Sequence, residues 1–151
     1  MLMLRTSLFT ALVLVASLHA AEKRRVIEPP ELAPAPGAPA PMYSPGILID
    51  GTLYIAGTVG TDIKTNRLPA DFEAEVNAAL DRVGYVLKAA GMTFDDVVSV
   101  QVYLTDMSLF QRMNAVYGSR FKAPRPARTT VGVTKLALEG ARMEITVTAR
   151  K

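Results

Sequence analysis

The chain has 151 residues, half of them hydrophobic, which is enough for one domain with a core of ordinary size. Its 17 basic and 14 acidic residues give a net charge of +3, a bias too small to predict nucleic acid as a partner without a clustered basic patch. It has no cysteine and one histidine, which excludes disulfides and thiolate chemistry and argues against a zinc site. Catalysis, if any, must use carboxylate, arginine, hydroxyl or backbone groups, and no cofactor is expected.

The first 21 residues have the layout of a secretory signal peptide. Arg5 supplies a positive charge, an apolar run extends from Leu8 to Leu18, and small residues follow. The run is shorter than the ~20 residues that a membrane span needs. We therefore predict a signal peptide at residues 1–21, a mature start at Ala21 or Glu22, and a periplasmic or secreted protein with no membrane association after cleavage. An uncleaved N-terminal anchor is the alternative.

Residues 22–41 are rich in proline and alanine and show no apolar periodicity. Such a composition is typical of an extended spacer or a disordered arm. We therefore predict a linker over residues 22–41 and a folded domain over residues 42–151. Cleavage of the leader would leave 16 of the 17 basic residues and all 14 acidic ones, a net charge of +2.

The folded domain is predicted to begin with two strands and a helix. In "GILIDGTLYIAGTVG", residues 46–60, the Asp50-Gly51 pair separates two β-rich runs, which is a strong signal for a hairpin. Apolar residues then recur at helical spacing until Gly91, which is placed to end the helix. They are Phe72, Val76, Ala79, Leu80, Val83, Leu87 and Ala90.

A third strand and a second helix follow. The segment "DDVVSVQVYL", residues 95–104, alternates like a strand, and its predicted apolar face consists of Val98, Val100, Val102 and Leu104. Asp106 can cap the second helix, whose inward stripe consists of Phe110, Met113, Tyr117 and Phe121. Two strands end the chain, so the order is ββαβαββ. We predict an α+β fold, a single sheet with two helices on one face.

The two closing strands, "RTTVGV" and "RMEITVTA", are predicted to form a hairpin. Alternation assigns an apolar face to Thr129, Val131 and Val133 in the first strand and to Met143, Ile145 and Val147 in the second. Arg128, Thr130 and Glu144 would then share the polar face. At ~3.4 Å per residue, we expect Arg128 and Glu144 to lie about 7–14 Å apart along the sheet.

Arg128 follows two prolines, Pro124 and Pro126, which stiffen the approach to the strand. The plain interpretation is a solvated polar face with Arg128 in a surface or inter-subunit salt bridge. The functional interpretation is that a cation and a carboxylate on one face are separated by roughly the length of a small acid.

The run "PRPARTTVGV", followed by "LEGARMEI", resembles the signature of the RidA/YjgF family of reactive intermediate imine deaminases. The resemblance extends over residues 42–151 through "YSPG", "LYIAGTVG", "AALDRVGYVLKAAGMTFDDVVSVQVYLTDM" and "FQRMNAVYGSRF". It implies the chorismate-mutase-like RidA fold, a homotrimer with the sheets around a barrel-like core, and a cleft at each subunit interface. The chain would be an exported, divergent member.

The resemblance also implies roles for individual residues. Arg128 would bind a substrate carboxylate, for which a planar guanidinium fork is suited. Glu144 would orient or activate the water that attacks an imine carbon. Tyr43, Asn114 and Gly57 match positions near the cleft. The structural alternatives are that Tyr43 is a rim aromatic, Asn114 ties the helix to a neighbouring subunit, and Gly57 marks a bulge.

Several positions depart from the family pattern. Ala56-Gly57-Thr58 stands where the deaminases have Ser-Gly-Gln, so Thr58 joins the predicted binding residues in a changed form. Thr130 stands where a cysteine is common, and Pro45 replaces the usual glutamine after Tyr-Ser. The carboxylate anchor is retained, while much of its surroundings is changed.

The expected function is therefore hydrolytic deamination of small enamine or imine carboxylic acids of the 2-iminobutanoate and 2-iminopropanoate type. A small carboxylate-bearing molecule and two further copies of the chain would be its partners. The alternative is a non-catalytic periplasmic binding module for small acids that uses the same cleft. Ribonuclease activity, a third hypothesis, fits poorly with the mild charge and the absence of histidine from the mature chain.

Overall fold

The computed structural model describes residues 24–151, and the predicted signal peptide lies outside these residues. Within them, no helix is long and apolar enough to cross a membrane. Six strands and two α-helices follow one another, with short 3₁₀ turns between some of them. They are β1 (Arg25–Ile27), β2 (Gly46–Ile49), β3 (Thr52–Val59), α1 (Phe72–Ala89), β4 (Val97–Leu104), α2 (Phe110–Arg120), β5 (Ala127–Gly132) and β6 (Met143–Arg150).

The strands form one mixed sheet in the order β1-β2-β3-β6-β4-β5. All neighbours are antiparallel except β4 and β5, which run parallel. The last strand of the chain, β6, therefore lies in the middle of the sheet. Both helices contribute buried side chains to a single core with the strands. This confirms the predicted α+β class with one sheet and two helices.

The first hairpin turns at the predicted Asp50-Gly51 pair. Both residues have positive φ, 47° and 72°, as a two-residue type I′ turn requires. Helix α1 begins after Asp71, whose carboxylate accepts the Ala74 backbone N–H at 2.9 Å. Asp106 likewise caps the turn that leads into α2 by accepting the Ser108 N–H at 2.8 Å. These local predictions from the sequence are confirmed.

The domain begins earlier than residue 42. Residues 22–41 were expected to be a disordered linker, but Arg25–Ile27 forms the edge strand β1, paired with β2. Ile27 is buried, and Leu32 packs against the core from a 3₁₀ turn. Three residues carry too short an alternation to be recognised next to a proline-rich segment, so the strand was not predicted.

The faces of β5 are the reverse of those predicted. The strand pairs with β4, not with β6, and its register places Arg128 beside Val100 and Thr130 beside Val102. Laterally paired residues point to the same face of a sheet. Because Val100 and Val102 are buried under the helices, Arg128 and Thr130 lie on the helix side. Thr129 and Val131 lie on the other side.

A similar exchange occurs at the start of β4. The prediction placed Val98 on the apolar face, yet Val97 is buried and Val98 is 48% exposed. The pairing of β4 with β6 shifts between Val97 and Ser99, and such an irregularity moves one residue to the other face. The predicted burial of Val100, Val102 and Leu104 is confirmed.

The side of the sheet away from the helices, here called the open face, is not covered by any other part of residues 24–151. One row of laterally paired residues crosses all six strands on it. These are Val26, Ile47, Tyr54, Thr148, Ser99 and Ala127. Tyr54 is 52% exposed and Val26 is 45% exposed, so this face presents apolar surface together with threonine and serine hydroxyls.

Glu75 is a charged residue inside the core, on the inner face of α1, with no exposed surface. Its carboxylate accepts hydrogen bonds from the backbone N–H groups of Arg142 and Met143 at 2.7 and 3.2 Å. It also accepts the Arg142 Nε at 2.6 Å. The Arg142 guanidinium is held further by the carbonyl oxygens of Pro69 and Ala70. The carboxylate thereby joins α1 to the first residues of β6.

We predict that Glu75→Ala lowers the free energy of unfolding by about 3–5 kcal/mol, because it leaves the buried side of Arg142 and two N–H groups without their acceptor. Denaturant titration would measure the change. Glu73→Ala is the control, since Glu73 lies on the same helix but pairs with Arg112 at the surface. A loss below about 1 kcal/mol in Glu75→Ala would show that the pair does not hold the helix to the strand.

Candidate functional site

Arg128 is held against an aromatic surface of α2. Its guanidinium carbon lies 4.5 Å from the centre of the Tyr117 ring and 5.7 Å from that of Phe110. A guanidinium stacks well on an aromatic face, so the rings restrain a long side chain that could otherwise sample many rotamers. The prolines before β5 restrain its backbone in addition. The rigidity expected from the sequence therefore has a second source, the helix stripe.

Two further aromatic rings hold the Tyr117 ring in place. It stacks on Phe121 at a centroid distance of 4.2 Å, and Phe121 meets Phe94 edge to face at 5.2 Å. Tyr117 is 5% exposed, and its hydroxyl has no hydrogen-bond partner among residues 24–151. Burial raises the pKa of this hydroxyl, while the charges of Arg128 and Arg125 oppose part of the rise. A neutral phenol therefore stands beside the guanidinium groups.

Arg128 lines a groove of about 490 Å³ between α2 and the start of β5. Its walls carry the amide of Asn114, the Tyr117 ring and two arginines, Arg125 and Arg128. No carboxylate lines it. Thr130 lies two residues further along β5, and its buried hydroxyl also has no partner in the described part of the chain. The group around Arg128 contains three predicted residues, Asn114, Arg128 and Thr130.

A second group lies around the bulge of β3. Tyr43, Gly57 and Thr58 line a small cavity of about 110 Å³ together with Arg82 of α1. The Thr58 hydroxyl donates to the Ala56 carbonyl at 2.8 Å, so it is occupied by its own strand. The Arg82 Nε donates to the Thr61 carbonyl at 2.9 Å, and burial lowers the pKa of this guanidinium.

Glu144 belongs to this second group. In β6 it is paired laterally with Tyr103 of β4 and Val59 of β3, on the open face. A Cβ atom at residue 57 would overlap a carboxylate oxygen of Glu144, so only glycine lets the carboxylate approach the strand this closely. Gly57 therefore lies in the irregular part of β3 and leaves the space that the Glu144 carboxylate occupies.

The seven predicted site residues thus form two separate groups, one around Arg128 and one around the bulge of β3. Arg128 lies on the helix side and Glu144 on the open side, with β4 between their strands. The prediction that they share one face within the chain is wrong, because β4 pairs Arg128 with Val100 and Glu144 with Tyr103, which point to opposite faces. Within residues 24–151, no cluster of His, Asp and Glu side chains could hold a metal ion.

Sequence reasoning did not assign site roles to Tyr117, Arg125 and Arg82. Tyr117 was predicted as part of the apolar stripe of α2, which it is, and its contact with Arg128 depends on the packing of β5. Arg125 precedes the Pro-Ala-Arg run, and its position between two prolines was the available signal. Nothing in the pattern of α1 distinguishes Arg82 from a surface arginine.

The fold and the arginine groove can now be compared with known proteins. The model of the Endoribonuclease L-PSP family matches residues 33–151. The human 2-iminobutanoate/2-iminopropanoate deaminase is 41% identical over 127 residues, which are 83% of this chain and 89% of that protein. The chain therefore belongs to the Endoribonuclease L-PSP family, which is the RidA/YjgF family indicated by its sequence.

Solved structures agree with this assignment. RidA from the Antarctic bacterium Psychrobacter sp. PAMC 21119 superimposes with a TM-score of 0.75 at 31% identity, covering 84% of this chain and all of that one. Escherichia coli TdcF with bound serine gives a TM-score of 0.75 at 28% identity, covering 84% of this chain and 98% of that one. The predicted family and fold are confirmed.

We predict that Tyr117→Phe leaves the stability of the protein unchanged or raises it by up to about 1 kcal/mol, because a buried hydroxyl without a partner costs free energy and the ring is kept. Tyr117→Leu removes the surface on which Arg128 rests and should lower stability by about 1–3 kcal/mol. Denaturant unfolding of both variants would test this. A clear loss of stability in Tyr117→Phe would mean that the hydroxyl is satisfied within the fold.

Proposed function

We propose that this protein deaminates small 2-imino carboxylic acids by hydrolysis, with Arg128 binding the carboxylate. The observation that carries the proposal is the Arg128 guanidinium, fixed over the Tyr117 ring in a groove that contains no acidic side chain. Most exposed arginines pair with a protein carboxylate or remain free to move. A restrained guanidinium without such a partner is prepared for an anionic ligand.

Similar proteins support this choice of ligand and reaction. Relatives about 40% identical are named 2-iminobutanoate/2-iminopropanoate deaminase, and TdcF binds serine, a small molecule with a carboxylate. In the proposed reaction, water adds to the imine carbon and forms a carbinolamine. Collapse of the carbinolamine expels ammonia and leaves the 2-oxo acid. The protein would supply orientation and proton transfer only, which its side chains can provide.

Glu144 is the proposed base. Its carboxylate would take a proton from the attacking water and return it to the departing nitrogen. The tight approach to Gly57 holds the carboxylate in one place on the open face. Glu144 and Arg128 of the same chain cannot act on one small molecule, because they lie on opposite faces of the sheet. A complete site requires that the Arg128 groove of one copy meet the open face of another.

We further propose that three copies assemble with their open faces inward. The open face presents Tyr54 and Val26 as broad exposed apolar surface, which isolated proteins seldom leave uncovered. A cyclic trimer uses the same pair of different surfaces at every interface. Each interface would then combine Arg128 from one subunit with Glu144 from its neighbour. Assembly of the trimer would therefore cover the open face and complete the site at the same time.

The chemistry can be tested with two variants. Arg128→Lys keeps the charge but loses the planar fork, so it should weaken binding of 2-oxobutanoate at least ~10-fold, or ~1.4 kcal/mol. Glu144→Gln keeps the shape and removes the base, so it should preserve that binding and suppress ammonia release from freshly generated 2-iminobutanoate. Calorimetry and an ammonia assay measure the two effects. Wild-type affinity in Arg128→Ala would overturn the assignment of the anchor.

Shared sites predict complementation between inactive subunits. Coexpressed Arg128→Ala and Glu144→Gln chains should assemble at random into trimers, so that about a quarter of all interfaces, one in each mixed trimer, carry both wild-type residues. Ammonia release should return to a corresponding fraction, although each variant alone is inactive. Light scattering should give three times the chain mass for all forms. No recovery in a verified mixed assembly would contradict the shared site, and a stable monomer would contradict the trimer.

The second candidate function is that of a small-acid binding module without turnover. The departures at Ala56, Thr58 and Thr130 favour it, since the Thr58 hydroxyl is occupied by its own backbone and cannot be used fully on a ligand. Retained binding of 2-oxobutanoate by the wild-type protein, without ammonia release from 2-iminobutanoate, would identify this function.

A further inference from the structure

The anion-binding groove contains one more cation than a simple 2-imino acid needs. Arg125 and Arg128 both line it, and Arg125 is exposed while Arg128 is half-buried. The ion pairs formed among residues 24–151 involve neither of them. A substrate with a single carboxylate would engage Arg128 and leave Arg125 without an anion.

The two guanidinium groups border the same groove. Arg128 rests on the Tyr117 ring, and the charge of Arg125 acts on the same phenol. Both arginines come from one short segment, three residues apart, so their Cα atoms are separated by at most ~10 Å. Long flexible side chains can close that distance from either side. The groove therefore carries two guanidinium groups together with a buried phenol in its lining.

Two like charges held together without a counter-charge repel each other, and a ligand with two negative groups relieves that repulsion. Two neutral donors are present to complete the binding. The Tyr117 hydroxyl is 95% buried with its ring and has no partner in the described chain, and the Asn114 amide faces the same groove. A buried polar group without a partner is a donor that a ligand can satisfy.

We propose that the preferred substrates are 2-imino dicarboxylates of four or five carbons, the imines related to the acidic amino acids, with Arg125 binding the second carboxylate. The inference rests on the proposed function and assigns a substrate class to the same site. Arg128 would hold the carboxylate next to the imine carbon, and Arg125 would hold the one at the far end. Addition of water and loss of ammonia then yield the corresponding 2-oxo dicarboxylate.

The test compares 2-oxoglutarate with 2-oxopentanoate, two product-like acids with the same five-carbon chain that differ in the terminal carboxylate. Calorimetric titrations at one fixed ionic strength would use the full assembly of the wild type, Arg125→Ala and Arg125→Lys. Arg67→Ala is the matched control, because Arg67 is exposed and lines a different groove. It removes the same charge without touching the site.

We expect the wild type to bind 2-oxoglutarate about tenfold more tightly than 2-oxopentanoate. Arg125→Ala should abolish that preference while changing the Kd for 2-oxopentanoate less than about threefold, and Arg125→Lys should restore part of it. Arg67→Ala should keep the preference. Ammonia release from the imines of aspartate and glutamate should follow the same order as binding.

Equal affinity for the two acids in the wild type, or an unchanged preference in Arg125→Ala, would overturn the proposal. A preference lost equally in Arg67→Ala would also overturn it, since net charge and not Arg125 would be the cause. These results differ from failure of the proposed function, in which neither acid binds and no imine is hydrolysed. Loss of the trimer in Arg125→Ala would instead assign Arg125 to the subunit interface and end the proposal.

Discussion

The arrangement of the sheet depends on the hydrogen bonds that the buried Glu75 carboxylate accepts. It accepts the N–H groups of two consecutive residues, Arg142 and Met143, at the point where β6 begins. An acceptor inside α1 thereby sets the position of β6 along the helix. That position sends Met143 into the core and Glu144 to the open face. Because β6 lies between β3 and β4, its position also determines which residues of these two strands it pairs with.

The same strand order separates the functional residues. With β6 between β3 and β4, the strand that carries Arg128 is left at the edge, paired only with β4. The register that places Arg128 beside the buried Val100 turns it toward the helices, where α2 supplies the aromatic surface that restrains it. Glu144 and Arg128, the proposed base and anchor, thus lie on opposite faces of a thin sheet. In the proposed trimer, identical subunits would cover the open face of each sheet. The same contact would bring Arg128 of one subunit next to Glu144 of another.

The arginine groove shows how packing turns an ordinary apolar stripe into part of a site. Phe121 and Phe94 hold the Tyr117 ring, the ring holds Arg128, and no carboxylate neutralises the charge. Each contact is a normal core interaction, yet together they fix the direction of a guanidinium. Among residues 24–151, the hydroxyls of Tyr117 and Thr130 have no hydrogen-bond partner. Free hydrogen-bonding capacity and free positive charge therefore occur in the same place, as expected for the binding of a polar anion.

By itself the sequence determined the local elements and indicated the candidate site residues. The Asp50-Gly51 turn, the caps at Asp71 and Asp106, the helix stripes and the apolar face of β6 all follow from interactions between residues close in the chain. Resemblance to the family singled out Arg128, Glu144, Tyr43, Asn114 and Gly57, while Thr58 and Thr130 were noted as departures from its pattern.

The tertiary structure alone decided which face of β5 is covered, that β1 exists, and that Val97 replaces Val98 in the core. It also decided that Glu75 lies buried and that Tyr117 and Arg125 flank the anchor. A strict alternation defines two faces of a strand but does not say which one the helices cover. That choice depends on the neighbouring strand and its register, which are set by contacts between residues far apart in the sequence.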